Sequence, residues 1–372
     1  MRNILGVLIY PHDINNIEGI GDYVSASAVS FLGRYRIVDF PVSNMSNSGI
    51  DTIQAFIKEK PKSLVEHLDN GRQYNMNTKR GGIRLYFAPE SRGNMTNYLT
   101  DVSTLYFNKQ WIEREDKQYV LVANSNMIYT FDFDKLLQKH IESKADITVM
   151  YKECNNANKQ FINCDVVELN RQNGVKSIVQ NHGDKAKRNI MMGTYIMSKE
   201  IFLGMIDQGY HTSRLYWLRD VLNDACDYLD VRGFKYDGYL ACVNSFKAYY
   251  DTSMELLDTR KRNQLFKEDW PIYTQTKDSC PTRYAESGKA VGSLVSNGCL
   301  IKGNIQNSII GRRVNIGKNT VIRNSIVFPD VTIGDNVVIE NAVVDKYSKI
   351  AKVKEIKGTE ERPFYVRRGD II

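Results

Sequence analysis

From Leu294 to Ile350 an aliphatic residue recurs with a period of six. Ile310-Gly311-Arg-Arg-Val314-Asn leads to Ile316-Gly317-Lys-Asn-Thr320-Val and then to Ile322. Ile333-Gly334-Asp-Asn-Val337-Val leads in the same way to Ile339. Each hexad supplies one short strand and a turn, and three hexads make one coil of a parallel β-helix. The phase slips around Phe328-Pro329, which reads as one inserted residue.

Upstream the pattern is different. Leu5 to Tyr10, Ile50 to Phe56, Tyr119 to Ala123 and Asp146 to Tyr151 read as buried strands. A helix lies between the last two, capped by Asp132 or Asp134, with Leu136, Leu137, His140 and Ile141 on one face. Strand–helix–strand order predicts an α/β domain with a largely parallel sheet and ligands beyond the carboxyl ends of its strands. The boundaries expected from this reading are an α/β domain over 1–256, a linker over 257–290 and a β-helix domain over 291–372.

Charge narrows the function classes. The 372 residues carry a formal +7, but 346–372 hold eight Lys/Arg against four Asp/Glu, a net +4. The remainder is too weakly basic for a nucleic-acid footprint, and no helix-turn-helix, zinc-finger or RNP motif accompanies it. Six cysteines are scattered without a C-x-x-C pair, which fits a reducing cytosol. The apolar run Ile4–Tyr10 is too short for a span or signal core, so a cytoplasmic chain without membrane contact is expected.

Motif order then points to a family. Phe31-Leu-Gly-Arg34-Tyr-Arg36-Ile-Val-Asp39-Phe-Pro-Val-Ser43-Asn44, with Asn47-Ser48-Gly49-Ile50, resembles the "FGGKYRIIDFPLSN…NSGI" block of ADP-glucose pyrophosphorylases, or glucose-1-phosphate adenylyltransferases. The likeness continues through Met127-Ile-Tyr129-Thr-Phe-Asp132, Met192-Gly-Thr-Tyr195-Ile, Ala248-Tyr-Tyr250 and Trp270-Pro-Ile-Tyr273. It implies a Rossmann-like, GT-A-like nucleotide-diphospho-sugar transferase domain followed by a left-handed parallel β-helix, assembled as a tetramer. The family joins glucose 1-phosphate to ATP, with Mg²⁺ and loss of pyrophosphate.

That chemistry needs a triphosphate cradle, metal carboxylates and a cationic grip on the sugar phosphate. Where the family has a glycine-rich loop with arginine, this chain has Tyr10-Pro11-His12-Asp13-Ile14-Asn15. Gly81-Gly82-Ile-Arg84-Leu85 has cradle-like composition but lies far from the first strand, and reads as an ordinary loop. The stretch that supplies a lysine in the family is Ser25-Ala-Ser27-Ala-Val-Ser30-Phe31. By resemblance, Asn126 and Cys242 stand at metal aspartates, Asn181 at the lysine of a "VEKP" grip, and Met192 at a serine. Asp132 matches another family aspartate and is also a ready helix N-cap. The family's "GTADA" segment has no counterpart around Arg92-Gly93-Asn94.

Losing several charged contacts, each supplying about 10²–10³-fold in rate, leaves little activity. The resemblance therefore implies a catalytically degenerate, regulatory GlgD-type subunit with no cofactor or metal of its own. Its expected partner is a catalytic GlgC-type subunit in a heterotetramer, with a homo-oligomer as the possible state of the chain alone. Small phosphorylated effectors are expected at Arg34, by alignment with a family effector site, with Arg36, Arg367 and Arg368 completing a cationic pocket. Three rivals stand beside this reading. One is a working nucleotidyltransferase in which His12, Arg84 and His182 replace the lost cations. Another is a scaffold without effector binding. The last, a hexapeptide acyltransferase, is disfavoured because all five histidines precede the repeats.

Overall fold

The computed structural model describes residues 3–10, 17, 19–58, 60–79, 81–88 and 100–372. The loop around His12 and the segment Arg92-Gly93-Asn94 lie outside the described residues. The chain forms two compact units. One comprises Met1–Ile14, Val38–Asn244 and Glu268–Tyr273; the other comprises Asn15–Ile37, Ser245–Lys267 and Thr274–Ile372. Within 257–290 lie the helix Thr259–Leu265, the Glu268–Tyr273 stretch of the first unit, and the strand Arg283–Tyr284.

The first unit is built on a nine-stranded sheet. Ile4–Ile9 pairs in parallel with Thr52–Ile57 on one side and Tyr119–Asn124 on the other, and Gly82–Phe87 closes one edge. Arg188–Ser198 runs antiparallel to Tyr119–Asn124 and also to Ile147–Cys154, so the sheet is mixed rather than largely parallel. The expectation failed because the chain between Ile147–Cys154 and Arg188–Ser198 runs through the antiparallel strands Asp165–Leu169 and Val175–Gln180, without the crossover that parallel neighbours need. The helix Phe133–Ser143 starts at Asp132, whose carboxylate accepts the Asp134 N–H at 3.0 Å. Leu136, Leu137 and His140 face inward as expected, whereas Ile141 is exposed.

The recognisable motifs form one buried knot in this unit. Asn44 donates to the Tyr129 carbonyl at 2.9 Å and accepts from the Trp270 indole at 2.9 Å. The Ser43 hydroxyl accepts the Tyr273 N–H, and the Tyr129 hydroxyl pairs with Thr194 at 2.7 Å. An unpaired buried polar group costs about 1–3 kcal/mol, so each partner constrains the others.

The second unit holds the left-handed β-helix. Its inward side chains are Ile310, Ile316, Ile322, Val327, Ile333, Ile339, Val344, Ile350 and Ile356, all buried. The steps run six, six, five and then repeat, so the register is 17: Asn315↔Thr332, Ile322↔Ile339, Ile326↔Val343. The slip at Phe328-Pro329 is thus a recurring five-residue face of these central coils, not an insertion. The corners follow the same count. Arg313, Asn319, Asn324, Asp330, Asn336, Asn341 and Tyr347 all have φ between 43 and 65°. Asn and Asp tolerate that left-handed conformation best among side-chain-bearing residues, and they fill five of these seven corners. Gly317 has a different cause: a Cβ there would sit 2.4 Å from the Gly334 backbone of the next coil.

Candidate functional site

In the first unit, the carboxyl ends of Ile4–Ile9 and Tyr119–Asn124 open onto a cavity of about 70 Å³. Ligand sites for drug-sized molecules run to roughly 300–1,000 Å³, so this one is small. Gly193 lies in an irregular stretch of the Arg188–Ser198 strand at φ 59°, and a Cβ there would meet Asn124 Nδ2 at 2.2 Å. The Asn124 side chain therefore packs directly on the strand backbone.

Asn126 and Cys242, far apart in the chain, meet in this cavity. Two-residue pairing of Met127–Ile128 with Ala241–Cys242 brings them together, and Asn126 Nδ2 donates to Cys242 Sγ at 3.4 Å. Val243 N–H donates to the Asn126 carbonyl at 3.0 Å. A hydrogen bond between the free thiols of Cys242 and Cys164, together with burial, pushes the Cys164 thiol well above its usual range. Asn244 Nδ2 donates to the Ile162 carbonyl and contacts Cys164 Sγ at 3.5 Å. The pair thus offers a neutral amide and a thiol. Mg²⁺ prefers anionic oxygen ligands, so these two residues do not fit it.

Asn181 stands apart from the lining. It is fully buried, donating from Nδ2 to the carbonyls of Ala157 and Phe161, both at 2.8 Å. Its backbone carbonyl accepts the Asn163 N–H at 2.8 Å, which fixes the loop that carries Asn163 and Cys164 into the cavity. Met192 is buried, while its neighbour Met191 lines the cavity. His182 is exposed, and Arg84 pairs with Glu115 on the sheet's edge strand. Gly81 precedes that edge strand and Gly82 opens it, so the stretch expected as an ordinary loop is mostly strand, paired in register with Thr52–Ile57.

Three ionisable residues that sequence reasoning passed over line the cavity: Asp101, Asp165 and Arg219. Asp101 is partly buried and accepts the N–H groups of Val102 and Leu218 at 2.7 and 2.9 Å. Burial outweighs those bonds and raises its carboxyl to about 6. Nothing local in the sequence marked these residues, since they come from three separate elements.

The second unit contains a different cavity, of about 630 Å³. Arg34, Arg262, Lys277 and Arg312 line it, and among its described lining residues there is no acid. Burial and the charges of Arg36, Arg312 and Arg313 pull the Lys277 ammonium down from its usual value. Lys346, near Arg36, Arg368 and Lys277, is lowered to about 8 chiefly by burial. Arg368 lies over the rings of Tyr23 and Tyr347, at 5.7 and 5.2 Å. Of the four arginines expected to cluster, Arg34 lines the cavity and Arg36 and Arg368 contribute to the surrounding field. Arg367 is exposed, and no contact places it with them. The spacing gave no sign of Arg262, Lys277 and Arg312.

An α/β sheet of this order with a hexapeptide solenoid after it in sequence defines a nucleotidyl-transferase-type protein. The family model for nucleotidyl transferases matches residues 20–258, and the model for the GlmU-like C-terminal hexapeptide matches 280–369. Glycogen biosynthesis protein GlgD of Bacillus subtilis (strain 168) is 31% identical over 99% of this chain and 96% of its own length. The GlgD protein of Geobacillus stearothermophilus is 33% identical over 100% and 97%. A glucose-1-phosphate adenylyltransferase of Mycoplasma mobile is 28% identical over 86% and 84%. The chain belongs to the nucleotidyl transferase family, in the group that holds glucose-1-phosphate adenylyltransferases and GlgD proteins. Among the described residues no helix is long and apolar enough to cross a membrane.

Proposed function

We propose that this chain is a regulatory, non-catalytic subunit of a glucose-1-phosphate adenylyltransferase that serves glycogen biosynthesis in the cytoplasm. One observation carries the reading: the neutral Asn126–Cys242 contact lies where the family resemblance calls for metal carboxylates. The small volume of that cavity supports it. The knot around Asn44 preserves the scaffold, so the fold persists without the chemistry. The partner is a catalytic subunit of the same family, in a heterotetramer. The cationic cavity of the second unit receives a small phosphorylated effector, whose phosphate the Arg34, Arg262, Lys277 and Arg312 charges stabilise. A second reading, a working transferase with an atypical site, draws on the adenylyltransferases among the relatives.

The test mixes the chain with the catalytic homologue from the same cell and follows ADP-glucose synthesis by each alone and together. The expected result is no turnover by this chain, a stable hetero-oligomer, and a changed rate or effector response in the mixture. Mg²⁺-dependent turnover by the isolated chain, or a mixture that neither assembles nor changes rate, overturns the proposal. Replacing Arg34, Lys277 and Arg312 together by Gln should cut any sugar-phosphate response about 100-fold, at about 1.5–3 kcal/mol for each charge-assisted bond before overlap.

A further inference from the structure

Arg219 is the single cationic side chain among the described residues lining the first-unit cavity. Its guanidinium is engaged at two atoms. Nε donates to Asp220 Oδ1 at 3.3 Å, and Nη1 donates to Asp165 Oδ1 at 3.1 Å. Asp220 is the next residue in the chain and is not part of the lining. Asp165, the first residue of the strand Asp165–Leu169, is part of it. The Nη1 end is therefore met inside the cavity by the chain's own carboxylate.

Both partners are sheltered, with the Arg219 side chain 30% exposed and Asp165 21%. An ion pair so placed is screened less than a surface pair. A phosphate group would use the same guanidinium fork that a carboxylate uses. It would also add charge beside two carboxyl groups already in the lining, Asp101 and Asp165.

We propose that Asp165 acts as a built-in anion, occupying the single cationic grip among the described lining residues of this cavity and so excluding phosphate-bearing ligands from it. The proposal goes beyond the regulatory reading and stands whether or not the chain has a catalytic partner. It names a specificity-determining residue: the cavity is closed to phosphate by an added carboxylate as well as by the lost metal ligands.

Met127 and Met191 line the same cavity, so their ¹³C-labelled methyl groups report on it alone, apart from anion binding in the second unit. The wild-type chain and Asp165→Asn are titrated with inorganic phosphate and followed by methyl NMR. Asp165→Asn should show saturable shifts of both methyls with affinity at least tenfold above wild type. Adding Arg219→Gln should return the response to the wild-type level. Asp165→Ser replaces Asp165→Asn if the latter's methyl spectrum shows an unfolded chain. A folded variant whose methyls ignore phosphate overturns the proposal. So does a wild-type chain that binds as tightly as the variant, or a gain that survives Arg219→Gln.

Discussion

The cavity of the first unit is small, lined by amides, thiols and an internal ion pair, and set at the end of a sheet where such folds bind ligands. The cavity of the second unit is about nine times larger in volume, lined by four cations and no described acid. In the first, Asn126 Nδ2 meets Cys242 and Arg219 meets Asp165, while the buried Asn126 Oδ1 has no hydrogen-bond partner. In the second, like charges are held near each other and lower the ammonium of Lys277. On the proposed regulatory reading, the first site has become internal structure and the second receives the ligand.

The strongest way to break that contrast is to return charge to the first cavity. Asn126→Asp with Cys242→Asp places two carboxylates where the structure supplies an amide and a thiol. The double variant should lose about 4 kcal/mol of stability without a divalent cation, since adjacent buried carboxylates are costly. Mn²⁺ should restore part of the loss. Denaturant midpoints with and without the ion measure both effects. An undiminished midpoint in metal-free buffer sinks the account of a neutralised site.

A somewhat smaller effect concerns Asp101. Burial raises its carboxyl to about 6 in the folded chain from an ordinary value of 3.8, so the folded state favours the protonated form. Its contribution is therefore fully present below pH 3.8 and lost as pH rises through 6. Asp101→Asn keeps an acceptor for Val102 and Leu218 and abolishes that titration. The variant should gain up to about 3 kcal/mol over wild type at pH 7.5, with no gain at pH 3.5. Equal pH profiles for the two proteins would refute the buried-carboxyl description.

The smallest effect sharpens the other side of the comparison. Lys346 is lowered to about 8, so its charge is lost as pH rises through that value. Phosphate affinity of the second unit should fall about threefold between pH 7 and 9, after correction for phosphate ionisation, and Lys346→Met should flatten the slope. A slope unchanged in the variant assigns the pH dependence elsewhere.

Much of the scaffold was legible before any coordinate. The hexads named the β-helix, and the strand runs at Ile4–Ile9 and Tyr119–Asn124 fell within a residue or two of their expected ends. The antiparallel strand Arg188–Ser198 escaped the pattern because periodicity shows that a strand is buried, not which way its neighbour runs. Ile141 escaped because its face of the helix, one position beyond His140, already turns to solvent.

The sites were legible only in part. Resemblance marked Asn126 and Cys242, and the strand pairing of their neighbours brings them into contact. Arg34 was visible from its motif, whereas Arg262 and Lys277 arrive from segments without repeat or motif, and Arg312 from a hexad whose period marks only the aliphatic stripe. Asp165 and Arg219, 54 positions apart, had no shared signal.

The sequence by itself determined the solenoid, because a six-residue repeat with Asn or Asp at most of its corners leaves the aliphatic stripe one place to go. Its resemblance to the family also set amides and a thiol at positions expected to be charged. Only the tertiary structure decided what those side chains meet. Hydrophobic period is local information, carried by each short segment. The charge balance of a cavity depends on which distant side chains face it, and that is settled only when the strands and helices carrying them have packed.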